Sequence, residues 1–249
     1  MTTRLIIARH GNTFTKDQTP TRVGGRTDLP LVESERGRNI GKYLKLKDML
    51  PDVVFAAPLK RTMETARLAV AEMGLPLEVQ AEDCFREVDY GPDENKPEEE
   101  VIARVGEDAI KLWNERAIVP DGWKVDVPAL IRTWESWAEK VASAYKDKTV
   151  MIVSSNGVIR FAPYITGDFE TFAKEHDIKV GTGSVCLFEK EEGAPWRCTG
   201  WFSDENLFLW MNVSEFHPFP YHPLYTYKER HIRFFRHHSR RCIWGCESE

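Results

Sequence analysis

Short apolar runs rich in β-branched residues alternate along this chain with segments of helical period, and that alternation is the strongest constraint on its fold. Runs at about 4–8, 52–56, 76–80, 149–154, 184–189 and 196–201 read as strands, and helical patterns fill most of the intervals. Strands separated by helical crossovers favour parallel neighbours with helices on both faces. The expected architecture is therefore α/β, a three-layer sandwich with a mainly parallel sheet.

Two helices are well marked. Over 59–73, Leu59, Met63, Ala66, Val70 and Met73 recur at helical spacing and form one buried stripe. Over 127–146, Val127, Leu130, Ile131, Trp134, Trp137, Val141, Ala142 and Tyr145 form a wider apolar face behind Pro128 in a first-turn position. Its two Trp residues read as core anchors. Between Asp89 and Asp126 the chain turns acidic, and a helix is expected near 98–115. Glu98, Glu99 and Glu100 read as its solvated start, where negative charge suits the helix dipole. We expect residues 1–201 to form the α/β domain, with a lid-type insertion at about 92–126.

Residues 202–249 form an atypical extension. Five of the seven His lie beyond position 216, interleaved with aromatic residues, and no periodicity persists there. Cys242 and Cys246, near His237 and His238, lack the paired spacing of a zinc site, and the expectation is no metal.

Composition removes several function classes. A net charge of −5 argues against a general nucleic-acid binder, so an anion site must be a local cluster of Arg and Lys on an acidic body. Five Cys without framework spacing fit free thiols in a reducing compartment. The first residues run into a strand without a secretory pattern, and no apolar run reaches membrane-spanning length. A soluble, cytoplasmic protein with no membrane partner is expected.

The chemistry concentrates after strands. Leu5-Ile6-Ile7-Ala8 is a buried strand, and Arg9-His10-Gly11-Asn12-Thr13 follows at its C-terminal end, where open α/β sheets place ligands. Arg offers a rigid fork that fits a phosphoryl group, and neutral imidazole is a nucleophile. Arg61 lies in the first turns of the helix after Ala57-Pro58-Leu59-Lys60. Glu87 follows another short strand in Arg86-Glu87-Val88-Asp89-Tyr90-Gly91, and Ile152-Val153-Ser154-Ser155-Asn156-Gly157 repeats the strand, polar loop, helix layout.

In this order and spacing the set resembles the histidine phosphatase superfamily, the phosphoglycerate mutase-like enzymes and phosphatases, over roughly residues 4–201. The resemblance implies that His10 attacks phosphorus to form a phosphohistidine and that Glu87 serves as general acid and then base. It also implies that Arg9 and Arg61 clamp the phosphoryl oxygens. The family pattern at the last motif is Ser-His-Gly/Asn-Gly, so Ser155 stands where a second active-site His is expected. Its hydroxyl donates a neutral hydrogen bond in place of a charged one, with Asn156 beside it as a further phosphate donor. Gly25-Arg26-Thr27-Asp28-Leu29-Pro30-Leu31 matches the family's Gly-x-x-Asp-x-Pro-Leu loop. Substrate contacts are expected from Asn12, Lys16, Arg22 and Gly25, with Lys16 where many relatives carry Asn. Arg22, Arg26 and Lys16 together form a candidate site for a second anionic group.

The expected activity is hydrolysis of a phosphomonoester, a small phosphorylated metabolite or alternatively a phosphoprotein, with no cofactor and no nucleic-acid partner. Phosphoglycerate mutase-type transfer is one alternative. A weakly active or inactive phospholigand-binding protein, prompted by Ser155, is another.

Overall fold

The computed structural model describes residues 2–202; the His/aromatic-rich extension, including His237, His238, Cys242 and Cys246, lies outside the described residues. Among the described residues six strands form one sheet: β1 Thr2–Arg9, β2 Val53–Ala56, β3 Val79–Ala81, β4 Thr149–Ser154, β5 Val185–Glu191 and β6 Arg197–Phe202. Their order is β3-β2-β4-β1-β5-β6. The pairs β1–β4, β2–β4 and β2–β3 are parallel, while β5 runs against both β1 and β6. The sheet is thus mixed and mainly parallel.

Period-2 alternation sorts the strand residues between two cores. Ile6 and Ala8 of β1, Val54 and Ala56 of β2, and Met151 and Val153 of β4 face one layer. That layer is built by α1 (Glu35–Leu46) and α2 (Lys60–Met73), through Ile40, Tyr43, Leu44, Ala66 and Val70. Leu5, Ile7, Phe55, Val150 and Ile152 face the opposite layer, dominated by α5 (Val127–Ala144). Asp126 caps α5 by accepting from the Ala129 N–H at 2.9 Å. Its two Trp residues are core: Trp134 is fully buried and packs on Phe85 at 4.6 Å between ring centroids, and Trp137 meets Phe55 edge-on at 4.9 Å. Trp134 also donates from Nε1 to the Val158 carbonyl at 2.9 Å, which ties this core helix to α6 (Asn156–Ile159) at the sheet's C-terminal edge.

Two boundaries differ from the sequence reading, and one helix was not specified by it. The helix expected near 98–115 is two helices, α3 (Glu98–Val105) and α4 (Glu107–Arg116), broken at Gly106 with φ +87°. That angle lies in the region open to glycine, so the acidic pattern continues while the backbone turns a corner. β3 begins at Val79, later than the apolar pattern, because residues 75–78 follow the left-handed Gly74 that ends α2. Helix α1 had no counterpart in the expected pattern. The last helix before β5 is α7 (Phe169–Glu175).

Pairs from the insertion hold it to the β1–α1 loop. Arg22 N–H donates to Lys96 O at 2.9 Å, Asn95 N–H to Arg22 O at 2.8 Å, and Thr21 Oγ1 to Asn95 Oδ1 at 2.7 Å. Asp93 is buried and accepts from Arg104 and from Trp123 Nε1, locking the insertion internally. No described helix is long and apolar enough to cross a membrane. Among the described residues Cys84, Cys186 and Cys198 are free thiols.

Candidate active site

The C-terminal ends of β1 and β4 lie side by side, with Arg9 in register with Ser154. The sequence places a polar residue immediately after each apolar run, so both strands deliver their reactive groups to one edge. The His10 N–H donates to Ser154 O at 3.1 Å, and the Gly11 N–H donates to Thr65 Oγ1 of α2 at 3.0 Å. These bonds fix the backbone on both sides of the imidazole.

His10 is buried, and its Nδ1 lies 2.7 Å from the Gly11 carbonyl. A carbonyl only accepts, so Nδ1 carries the proton and Nε2 presents a lone pair. Burial, then the charges of Arg61 and Arg9, hold the imidazole pKa well below its usual value. The neutral, nucleophilic form is therefore favoured near neutral pH.

Glu87 is buried as well. Its Oε1 accepts from the Val88 N–H at 2.9 Å and its Oε2 from the Gly157 N–H at 3.2 Å. Burial raises its pKa, against the opposing pull of Arg61, these two amides and Arg9. The carboxyl is thereby biased toward holding a proton. Gly157 is needed for this contact: a Cβ there would lie 2.3 Å from Glu87 Oε1 and 2.8 Å from Val88 Cγ2.

A cavity of about 550 Å³ opens over these groups. It is lined by Arg9, His10, Asn12, Lys16, Arg22, Glu87 and Asn156, among others, so seven of the ten sequence-selected residues meet on one surface. Asn12 Oδ1 accepts from Thr182 Oγ1 at 2.7 Å. Asn156 Oδ1 accepts from the Val180 N–H at 2.9 Å, which turns its amide nitrogen the other way. Arg9 donates from Nη1 to Val180 O, and its buried Nε has no partner among the described residues.

The other three lie behind the wall. Arg61 is fully buried, donating to Thr27 O at 2.8 Å and Gly24 O at 3.2 Å, with Nε unpartnered among the described residues. Ser155 is fully buried, and its hydroxyl has no hydrogen-bond partner among the described residues. Gly25 packs against the Glu87 backbone, where a Cβ would stand 2.3 Å from its carbonyl oxygen. Its place is structural support for Glu87, not a cavity contact.

The grouping of Lys16, Arg22 and Arg26 is corrected. Arg26 turns away to Asp89 at 3.0 Å and to Gly91 O at 2.7 Å. Arg22 pairs with Glu98 and stacks over Trp123 and Tyr90 at 4.8 and 5.4 Å from the ring centroids. Glu98 is therefore more than a solvated helix start. His176, the other His before the extension, stacks on Phe172 at 4.3 Å and does not line the cavity.

Sequence reasoning missed Tyr90, Asn114, Lys179 and Thr182, all on the cavity wall. Tyr90 lay inside the Glu87 motif and was within reach of inspection. Asn114 and Lys179 sit on ordinary polar helix and loop positions with no local signal. Arg160 is also buried nearby, stacked 3.8 Å over Trp113 and donating to the Trp113 carbonyl, and burial lowers its pKa to about 10. Among the described residues no group of three or more His, Cys, Asp or Glu is placed to hold a metal ion.

A profile of the Histidine phosphatase superfamily (branch 1) matches residues 5–204. The chain belongs to that superfamily. A histidine phosphatase superfamily relative from Bifidobacterium longum (strain DJO10A), a 2,3-bisphosphoglycerate-dependent phosphoglycerate mutase, is 32% identical over 187 residues, 73% of this chain and 70% of that protein. An uncharacterized phosphatase, PhoE of Bacillus subtilis (strain 168), is 31% identical over 162 residues, 63% of this chain and 74% of its own length. Among solved structures, the superfamily fold of this chain matches phosphoglycerate mutase from Bacillus anthracis str. Sterne with TM-score 0.66 and 19% identity, covering 84% of this chain and 96% of that one. The mycobacterial glucosyl-3-phosphoglycerate phosphatase matches with TM-score 0.64 and 21% identity, over 82% and 100%.

Proposed function

We propose that the protein hydrolyses a phosphomonoester through a phosphohistidine at His10. The observation that carries this reading is the buried imidazole whose Nδ1 is held by the Gly11 carbonyl, which leaves Nε2 free beside Arg9 and a protonatable Glu87. In the first step Nε2 bonds to phosphorus and the bond to the ester oxygen breaks, while Glu87 gives its proton to that oxygen. In the second, the Glu87 carboxylate takes a proton from water, the hydroxide oxygen bonds to phosphorus, and the P–N bond returns its pair to His10. Arg9, on the cavity wall, neutralises charge on the non-bridging oxygens; Arg61, from behind it, adds a second positive field.

Trapping tests this. Rapid quench of the full chain with a ³²P-labelled phosphomonoester should give acid-labile, base-stable label on His10 that water discharges. Absence of label under active turnover overturns the proposal. The mutase named among the 32%-identical relatives favours a second reading, in which the phosphoryl group passes to an acceptor hydroxyl. Label that persists in water and discharges only on adding an acceptor establishes that one instead.

We further propose that Ser155 occupies the position of the second His in the family pattern, its buried hydroxyl standing behind the cavity wall, next to the wall residue Asn156, where a longer charged side chain would reach phosphate. Ser155→His should then raise the phosphorylation rate by about 5- to 30-fold, the step from a neutral to a charged hydrogen bond. The gain should be larger below about pH 6.5, where an ordinary imidazole is protonated. Comparing kcat/KM for wild type, Ser155→His and Ser155→Ala across pH decides it: no gain for His together with no loss for Ala removes Ser155 from the phosphate site.

A further inference from the structure

We infer that Glu33 is a positioning residue for the nucleophile, acting on His10 through the peptide unit between Gly11 and Asn12. This rests on the phosphohistidine route proposed at His10, and it adds to that route a carboxylate that lines no part of the cavity. The peptide unit has two polar edges. Its carbonyl, that of Gly11, accepts from His10 Nδ1 at 2.7 Å, and its N–H, that of Asn12, donates to Glu33 Oε1 at 3.1 Å. One rigid plane thus carries an imidazole on one edge and a carboxylate on the other.

The carboxylate is itself held. Its Oε2 accepts from the Arg36 N–H in the first turn of α1 at 3.0 Å, and the Arg36 guanidinium stands 3.8 Å from Oε1. Arg36 donates onward to Thr182 O at 2.8 Å, and Thr182 Oγ1 donates to Asn12 Oδ1, which closes the ring of contacts. The Val32 N–H donates to the Asn12 carbonyl at 3.0 Å, so the residue before Glu33 is tied to the same turn. Glycine at position 11 leaves room for the approach, since a Cβ there would stand 3.1 Å from Glu33 Oε1. Glu33 lies two residues beyond Leu31, where the Gly-x-x-Asp-x-Pro-Leu match ends, and no motif pointed to it.

This arrangement acts first on orientation. The peptide plane cannot turn without breaking a bond at each edge, so the ring keeps its proton on Nδ1 and its lone pair on Nε2. It acts next on charge. As Nε2 bonds to phosphorus the proton stays on Nδ1 and the ring becomes positive, which makes its bond to the Gly11 carbonyl charge-assisted. A carboxylate on the N–H edge polarises the peptide and strengthens that carbonyl as an acceptor. An interaction that tightens only in the transition state raises kcat and leaves KM alone.

The experiment compares Glu33→Gln and Glu33→Ala with wild type and with Glu35→Ala, which removes an exposed carboxylate from the same turn of α1. The phosphomonoesterase kcat should fall about 10-fold in Glu33→Gln and about 10²-fold in Glu33→Ala, the range for losing an outer partner of a working His, with KM within about twofold. Glu35→Ala should match wild type. Should Glu33→Ala fail to fold, the nearly isosteric Glu33→Gln decides alone. A lower melting temperature with wild-type kcat assigns Glu33 to capping α1 and overturns the inference; so does an equal fall in Glu35→Ala, or a loss carried by KM. A second arm needs no turnover. ¹⁵N NMR of the full chain labelled at histidine, with the His10 signals assigned by their absence in His10→Ala, reads the ring tautomer. Wild type should show the Nδ1–H form and Glu33→Ala a mixture of the two forms. A mixture in wild type, or an undisturbed tautomer in both Glu33 variants, overturns the inference whatever the rates. Absence of phosphoryl label on His10 under active turnover overturns the phosphohistidine reading alone.

Discussion

His10→Ala should abolish phosphomonoester hydrolysis, with a fall in kcat of at least about 10⁴-fold, while the protein stays folded. The size follows from the role: removing a nucleophile that works as a unit with its neighbours removes the covalent route entirely, and what remains is positioning and charge. The fold should tolerate the change, because the backbone bonds from His10 and Gly11 to Ser154 and Thr65 do not involve the ring. Steady-state rates alongside a thermal melt check both halves. Near-wild-type activity in a folded His10→Ala protein excludes the phosphohistidine route.

The second large effect is selective. Glu87→Gln should slow hydrolysis of alkyl phosphates by about 10²- to 10⁴-fold and barely affect an aryl phosphate whose leaving oxygen needs no proton. The pH profile carries the same information. A general acid works only when protonated, and burial raises the Glu87 pKa, so with Glu87 in the proposed role the alkyl-phosphate rate should fall as pH climbs past that raised value. On the acid side the depressed pKa of His10 keeps the nucleophile deprotonated to well below pH 6.5. Glu87→Gln should therefore lose the alkaline limb. An equal loss with both leaving groups, or an alkaline limb retained in the variant, assigns the acid role elsewhere.

The sheet was readable because its strands are nearly pure apolar runs. Ile6, Ile7, Met151 and Ile152 are buried on both faces of a mainly parallel sheet, where a continuous run is the expected signature. Helix α1 was not readable. It carries Gly37 and Gly41 and few apolar residues, so local preference opposes it, and it is held by packing Ile40, Tyr43 and Leu44 against α2. The strand-end residues Arg9 and His10 were legible because a strand's C-terminal end has a defined place in space. The directions of the longer side chains were not: whether Arg22 meets a ligand or Glu98 depends on where the insertion lands, 76 residues away. The place of Lys179 on the cavity wall was invisible for the same reason, as the residue after it, Val180, is held by Arg9 and Asn156 rather than by any local pattern.

The hydrogen bonds joining residues 21 and 22 to residues 95 and 96 give this scaffold a particular kind of modularity. Two stretches of chain that are distant in sequence share one seam, and both contribute wall to the cavity through Arg22, Glu98 and Asn114. Two of these bonds are made by backbone alone, so a replaced insertion keeps them only if its path is kept, and it must still supply side-chain partners for Thr21 and Arg22 in place of Asn95 and Glu98. Re-cutting this wall of the cavity is thus a two-segment operation, in which residues 21–22 are changed together with 92–126.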